Sequence, residues 1–409
     1  MAEPHTEIAP GTSVPVSSAS DDRTAASEGV QGMAAPDLSA VFFTNPRGRL
    51  LLWGVFALLL VLAPQIFSKG SALSILSQIG TVMIFGLSYN MLLGQGGMLS
   101  FGHAVYSGLG AFVAVHAMNL AAKGAFPCPL PLIPLVGGLA GMGFGMLFGY
   151  VTTRKSGTTF AMITLGIVEL VSACSLMFPG FFGGEGGVAT NRVYGEPLLG
   201  ISFGPQIQVY YLIALWLFIS TIAMFAFTQT PLGRILNAVR DNPERVEFIG
   251  YDTQWVRYLT VILSAFFAGI SGSLAAINFE IVSAENVSAV RSGAVLLFTF
   301  IGGIGFFYGP MIGAIIGVFM SVLLPDMSKA WQLYLGVFFI LMVMWAPGGV
   351  ASLLLRGTQT LRVWQSLPRG SERTKTLLRL LARGVAALLA AAFAVVLIEM
   401  LYRHAAGAA

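Results

Sequence analysis

Charge is scarce in this chain of 409 residues: 22 Lys and Arg and 18 Asp and Glu make up 10% of it, while 56% is apolar. Soluble domains carry about a quarter charged residues, so a water-soluble multidomain protein is excluded. Cysteine is nearly missing as well. Cys128 and Cys174 have neither the spacing of metal ligands nor the number a disulfide framework needs, and both are read as chemically inert. Four scattered histidines form no metal-ligand cluster. No H-E-x-x-H helix or G-x-S-x-G nucleophile turn occurs. The dipeptide Gly-Lys is absent too, which removes the G-x-x-x-x-G-K-[ST] phosphate loop and ATP hydrolysis by that route. No enzyme activity, cofactor or metal is expected. The net charge of +4 is small and most basic residues flank apolar runs, which speaks for membrane topology and against nucleic acid.

What is abundant is apolar sequence, with a mean hydropathy of +0.80. Runs long enough to cross about 30 Å of hydrocarbon recur, and backbone polar groups without water demand helices or a closed barrel. The runs are continuous rather than alternating, which selects helices. The expected fold is an all-α polytopic bundle of about 9 to 11 membrane segments. Spans are expected near 50–67, 73–93, 101–121, 130–151, 159–178, 208–228, 258–278 and 332–347. The 49 glycines suit close helix packing in lipid. Residues 1–48, rich in Ala, Ser, Thr and Pro, read as a disordered cytoplasmic tail, residues 49–355 as the transmembrane domain, and 356–409 as a basic segment with an extra apolar helix that either crosses or lies against the membrane.

Residues 293–324 are too long for one ordinary span and too short for two. The sequence GGIGFFYGP at their centre predicts a broken or re-entrant segment, with breaks at Gly302, Gly303, Gly305, Gly309 and Pro310. The positive-inside rule agrees. With the amino terminus in the cytoplasm, the seven basic residues from Arg356 to Arg383 fall inside only if 293–324 crosses an even number of times.

Between two apolar runs lies PLGRILNAVRDNPERVEFIGYDTQWVRYL, Pro231–Leu259, with eight charged residues. Leu232, Ile235, Leu236 and Val239 recur at helical spacing and predict an amphipathic helix outside the bilayer. Asn242 suits an N-cap, Pro243 the first helical position and Glu244 the positive end of the dipole. Gly250 closes the short second helix. A loop that only marks topology is one reading; a docking surface for a cytoplasmic partner also explains the caps and the mixed charge of Arg234, Arg240, Glu244, Arg245 and Glu247.

GRILNAVRDNPERVEFIGYDTQWVRYLTVILSAFFAGISGSLAA resembles the cytoplasmic loop and following helix of the LivM-type permease subunits of branched-chain amino acid ABC importers. Three further stretches agree in order: NMLLGQGGMLSFGHAVYSGLGAF, RKSGTTFAMITLGIVELV and FIGGIGFFYGPMIGAIIG. The resemblance spans roughly residues 50–350. ABC importer permeases often carry a coupling signature beginning Glu-Ala-Ala; here Glu244 and Gly250 keep its ends, Arg245 and Val246 replace the alanines, and its Ile-x-Leu-Pro end is missing. The resemblance implies a subunit that moves branched-chain amino acids or related small solutes inward by alternating access. It also implies a homologous permease partner, two cytoplasmic ATPase subunits and a periplasmic solute-binding protein. A urea permease of the same family is the near alternative, and an ion-coupled secondary transporter is the alternative of another class.

Two features bear on a solute pathway. In GQGGMLSFGH, Gly94, Gly96 and Gly97 permit unwound backbone, and Asn90, Ser100 and His103 bring polar groups to an apolar place; this is a plain turn or a discontinuous pathway helix. Glu169 lies mid-span, where a carboxylate costs about 2.5 to 3.5 kcal/mol. It is either paired within the bundle or lines the pathway with Thr158, Thr159 and Thr164.

Overall fold

The computed structural model describes residues 46–67, 69–125, 128–194, 202–327, 329–346 and 348–355. The expected tail over 1–48 lies outside these residues except for its last three, which open a helix; the basic segment and extra apolar helix after residue 355 also lie outside them. The chain divides at Leu60 into two units. Of the first, residues 46–60 are described, all of them in helix α1 (Pro46–Ile66).

The second unit is a bundle of apolar helices. In order these are α2 (Gly70–Asn90), α3 (His103–Ala122), α4 (Ile133–Thr152), α5 (Gly157–Met177), α6 (Gln206–Gln229), the short α7 (Pro231–Asp241) and α8 (Pro243–Phe248), then α9 (Thr253–Phe279), α10 (Ala289–Gly302), α11 (Gly309–Met327) and α12 (Trp331–Trp345). Among the described residues, six helical segments are long and apolar enough to cross a membrane, up to seven if α12 and Gly349–Leu355 count as one bent span. Three shorter apolar helices, Leu50–Ile66, Ala289–Gly302 and Gly309–Pro325, accompany them. Among the described residues, these short pieces bring the count to nine or ten, within the expected nine to eleven.

At 27 residues α9 is about 40 Å long, and 89% of its apolar window is buried, which makes it the central helix. Small residues let its neighbours approach it backbone to backbone. A Cβ on Gly110 of α3 would lie 2.7 Å from both Gly137 O of α4 and Gly269 Cα of α9. Gly141 and Gly145 continue the α4 side against Ala265. Hydroxyls add polar links, since Ser264 and Ser271 of α9 donate to Ser88 O and Thr81 O of α2 at 2.6 and 2.8 Å. On the outer faces of α4, α5 and α6, Leu139, Leu147, Met162, Leu170, Leu215 and Ile219 are exposed, as a lipid-facing belt requires.

The break within 293–324 forms as a tight antiparallel hairpin. α10 stops at Gly302, Gly303 takes φ +114°, and α11 restarts at Gly309. The two half-helices touch through backbone, with Gly302 against Gly309 O and Gly313 against Phe298 O. Gly305 faces open space, so nothing there forbids a side chain. At the end of α9 away from α8, β2 (Ile281–Val282) pairs antiparallel with β1 (Val188–Ala189). The ion pair Arg192–Glu280 at 3.8 Å ties the same region.

Candidate functional site

The polar insert folds as two capped helices. Thr230 Oγ1 accepts from Gly233 N at 3.2 Å to start α7, and Asn242 Oδ1 accepts from Arg245 N at 3.1 Å to start α8. Gly250 at φ +96° closes α8. Leu236, Val239 and Val246 turn inward and are buried. Arg234, Glu244, Arg245 and Glu247 are exposed, and Glu247 also accepts from Thr253 Oγ1 at 2.8 Å. Phe248 and Ile249, which the sequence pattern did not single out, are the most exposed large apolar residues of this element at 89% and 75%. The element therefore presents an apolar knob ringed by mixed charge.

Arg240 is placed differently from the other arginines of the element. It pairs with Asp241 at 3.0 Å and reaches back into the bundle end, where Nη1 donates to Gly94 O at 2.6 Å. Gly94 follows the last α-helical turn of α2, in a π-helical turn over Met91–Gln95. Such a turn leaves carbonyls without regular helical partners. Gly97 takes φ +63°, and a Cβ on it would lie 2.8 Å from Arg240 Cγ. Leu236 Cδ1 packs on Gly96, 3.2 Å from where a Cβ would lie. The Gly-rich stretch is thus unwound backbone gripped by α7.

The hairpin meets the same place. Gly94 lies against the Asn90 side chain and Ile304 O, and Gly86 packs on Pro310. Asn90 is buried and its Oδ1 has no partner. Ser100 is buried as well, and Thr164 of α5 fixes the stretch by accepting from Phe101 N at 3.1 Å. The structure therefore brings Asn90, Gly97, Thr164 and Arg240 together around one unwound segment.

His103 begins α3 and is fully buried. Its ring stacks on Phe85 at 5.4 Å, with Tyr89 and Tyr106 edge-on. Ser88 Oγ donates to Phe85 O at 2.7 Å and lies within hydrogen-bond distance of His103 Nε2 at 3.0 Å. Nδ1 has no partner. Glu169 is not brought to this site: it is exposed, on the face of α5 that also exposes Met162, Gly166 and Leu170. Thr158 and Thr159 are exposed at the start of the same helix.

A second polar place was not singled out by the sequence pattern. Arg291, in the first turn of α10, lines a cavity of about 30 Å³ with Ser107 and Gly108 of α3, Ala275 and Phe279 of α9, and Asn286. Its Nε is buried without a hydrogen-bond partner, as is Ser107 Oγ. Among the described residues, no group of three or more His, Cys, Asp or Glu could hold a metal ion. Burial pushes the Cys128 thiol up from its usual range, which keeps it protonated and unreactive.

A bundle of spanning helices with a hairpin break and a capped polar insert between two spans can be compared with known proteins. The family described as "Branched-chain amino acid transport system / permease component" matches residues 71–344. The chain belongs to that family. This ABC transporter permease is a multi-pass inner-membrane protein, and permeases of its kind work in general with ATPase and solute-binding partners. It is 27% identical over 353 residues to the high-affinity branched-chain amino acid transport system permease protein LivM of Escherichia coli, covering 80% of this chain and 81% of the relative. It is 27% identical to LivM of Salmonella typhimurium over 71% of this chain and 73% of the relative. The fructose import permease protein FrcC of Rhizobium meliloti is 23% identical, over 72% of this chain and 82% of the relative. No solved structure matches the permease.

Proposed function

We propose that this permease is the membrane-spanning subunit of an ATP-driven importer that carries branched-chain amino acids, or closely related small solutes, into the cell by alternating access. The observation that carries this reading is the grip of α7 on the end of α2, through Arg240 and Gly94. A capped, charged element outside the spans that holds the unwound segment of a spanning helix is what a motor-driven gate requires. The amino terminus and α7–α8 face the cytoplasm, and residues 49–355 form the permease domain.

Two cytoplasmic ATPase subunits hold the knob of Phe248 and Ile249 and the charges of Arg234, Glu244, Arg245 and Glu247. A periplasmic solute-binding protein delivers the solute at the end carrying β1 and β2. A homologous permease subunit covers the face of α5 that bears Glu169, since a carboxylate exposed mid-span is costly against lipid. Asn90, Gly97, Ser100, His103 and Thr164 belong to the region that rearranges along the pathway. ATP hydrolysis by the complex in nanodiscs tests this reading. Stimulation by the leucine-loaded binding protein is expected, and a rate indifferent to the loaded binding protein would refute it.

A further inference from the structure

Among the described residues, Arg291 and Arg257 are the half-buried arginines of the bundle helices that make no ion pair, and of the two it is Arg291 that lines a cavity. Arg192 and Arg240 have ion-pair partners, the only two such pairs among the described residues. Arg291 has none, although its Nε is buried. The acid whose charge it feels, Glu285, lies beyond ion-pair distance and is exposed. Its nearest aromatic contact is the Phe85 ring, 6.0 Å from the guanidinium carbon, at the outer limit of a cation–π interaction. Arg291 is half-buried, and its Nε is a buried donor left without an acceptor, which costs free energy that an anion at this place would recover.

The surroundings say what is missing. The cavity in front of Arg291 encloses about 30 Å³, room for about two waters or one carboxylate group. Ser107, 1% exposed, lines it with an Oγ that has no partner. Ala111, Ala275, Ala276 and Phe279 supply apolar wall. The cavity sits at the start of α10, whose N-terminus adds a modest positive potential, and Ser288 already accepts from the Arg291 N–H. An anion-sized gap with two unsatisfied polar groups, a fixed cation and an aliphatic wall suits one chemical class.

We infer that the cavity between α3, α9 and α10 is a binding site for the carboxylate of a small aliphatic solute, with Arg291 as its charged anchor and Ser107 as a second hydrogen-bond donor. The inference rests on the importer reading above, and it names the solute group that the permease itself recognises. The apolar wall takes the start of the aliphatic side chain. Arg291 opens the half-helix that ends at Gly302, so solute at Arg291 and the hairpin tip at Ile304 are joined by one rigid element. That tip touches Gly94, the residue held by Arg240.

The test uses the complete complex of permease, partner permease and ATPases in nanodiscs, with radiolabelled leucine as ligand. Isovalerate and isoamylamine serve as competitors that share a branched chain and differ in the charged group. Isovalerate should compete and isoamylamine should not. Loss of a charge-assisted hydrogen bond weakens binding by about tenfold or more, so Arg291→Gln should weaken leucine binding at least that much. Arg291→Lys should fall between, and Ser107→Ala should lose less. Assembly of each variant is checked by size-exclusion chromatography, and Arg291→Lys keeps the test open if Arg291→Gln does not assemble. Equal competition by isoamylamine, competition by fructose in place of isovalerate, or wild-type leucine binding in both arginine variants would overturn the site. If the variants bind and import leucine normally under ATP, the importer reading stands and the site falls. If carboxylate binding depends on Arg291 but no ATP-driven uptake occurs, the site stands and the importer reading falls.

Discussion

Arg240 Nη1 donates to the carbonyl oxygen of Gly94 at 2.6 Å across 146 residues of sequence. The bond joins the polar helix outside the spans to the unwound end of a helix inside them. An arginine in a docking loop is ordinarily free to face a partner, whereas this one, although exposed, spends its Nη1 on Gly94 O and lies against Gly97. Its expected role is transmission of motion rather than capture of the ATPase.

Arg240→Ala should therefore separate the two. A hydrogen bond to a charged group contributes about 1.5 to 3 kcal/mol, enough to change the coupling between ATPase and gate by at least tenfold. Co-purification with the ATPases should stay near wild type while uptake falls and ATP hydrolysis continues. Equal loss of ATPase capture would return Arg240 to the docking surface.

Phe248 and Ile249 carry the opposite expectation. Large apolar side chains at 89% and 75% exposure, in an element flanked by charge, have the make-up of an interface centre with a polar rim. Phe248→Ala should cut ATPase co-purification, and Arg245→Glu should weaken it further through like-charge contacts. Insertion and thermal stability should stay unchanged in both, because neither side chain packs within the bundle. Normal capture by Phe248→Ala would remove the knob from the interface.

The glycine packing of α4 gives a matched pair. A side chain at Gly141 would run into Ala265 O and Gly269 Cα, while Gly143, two residues on, has nothing within 4 Å. Overpacking costs typically about 1 to 3 kcal/mol, so Gly141→Leu should lower the melting temperature in detergent and Gly143→Leu should not. Equal melting curves would mean that the α4–α9 approach is looser than the structure has it.

Much of this was legible in the sequence because it depends on local chemistry. Asn242, Pro243 and Gly250 mark the short helix by rules that reach only a few residues, and the Gly302–Pro310 break follows from length and glycine content. What depends on distant neighbours was not legible. Arg240 is exposed, as its place in a charged loop suggests, but its bond to Gly94 depends on a residue 146 positions away. Arg291 drew no notice in the sequence, because its cavity is lined by α3 and α9, which are distant along the chain. The rotation of α5 decides the environment of Glu169, and apolar residues occur on every side of that helix, so no periodicity fixes it.

That exposed carboxylate yields a further expectation. A photo-crosslinking amino acid placed at Gly166 or Glu169 should capture the partner permease, and Glu169→Gln should alter subunit pairing before it alters solute binding. Crosslinks to lipid alone would show that the α5 face is not an interface.

The most direct measurement is uptake of radiolabelled leucine into proteoliposomes that contain this permease, its partner permease, the ATPases and the binding protein. The account predicts uptake that requires ATP inside the vesicle accessible to the motor and persists when ionophores collapse the proton and sodium gradients. Loss of uptake on collapsing the gradients, with ATP still present and hydrolysed, would contradict it.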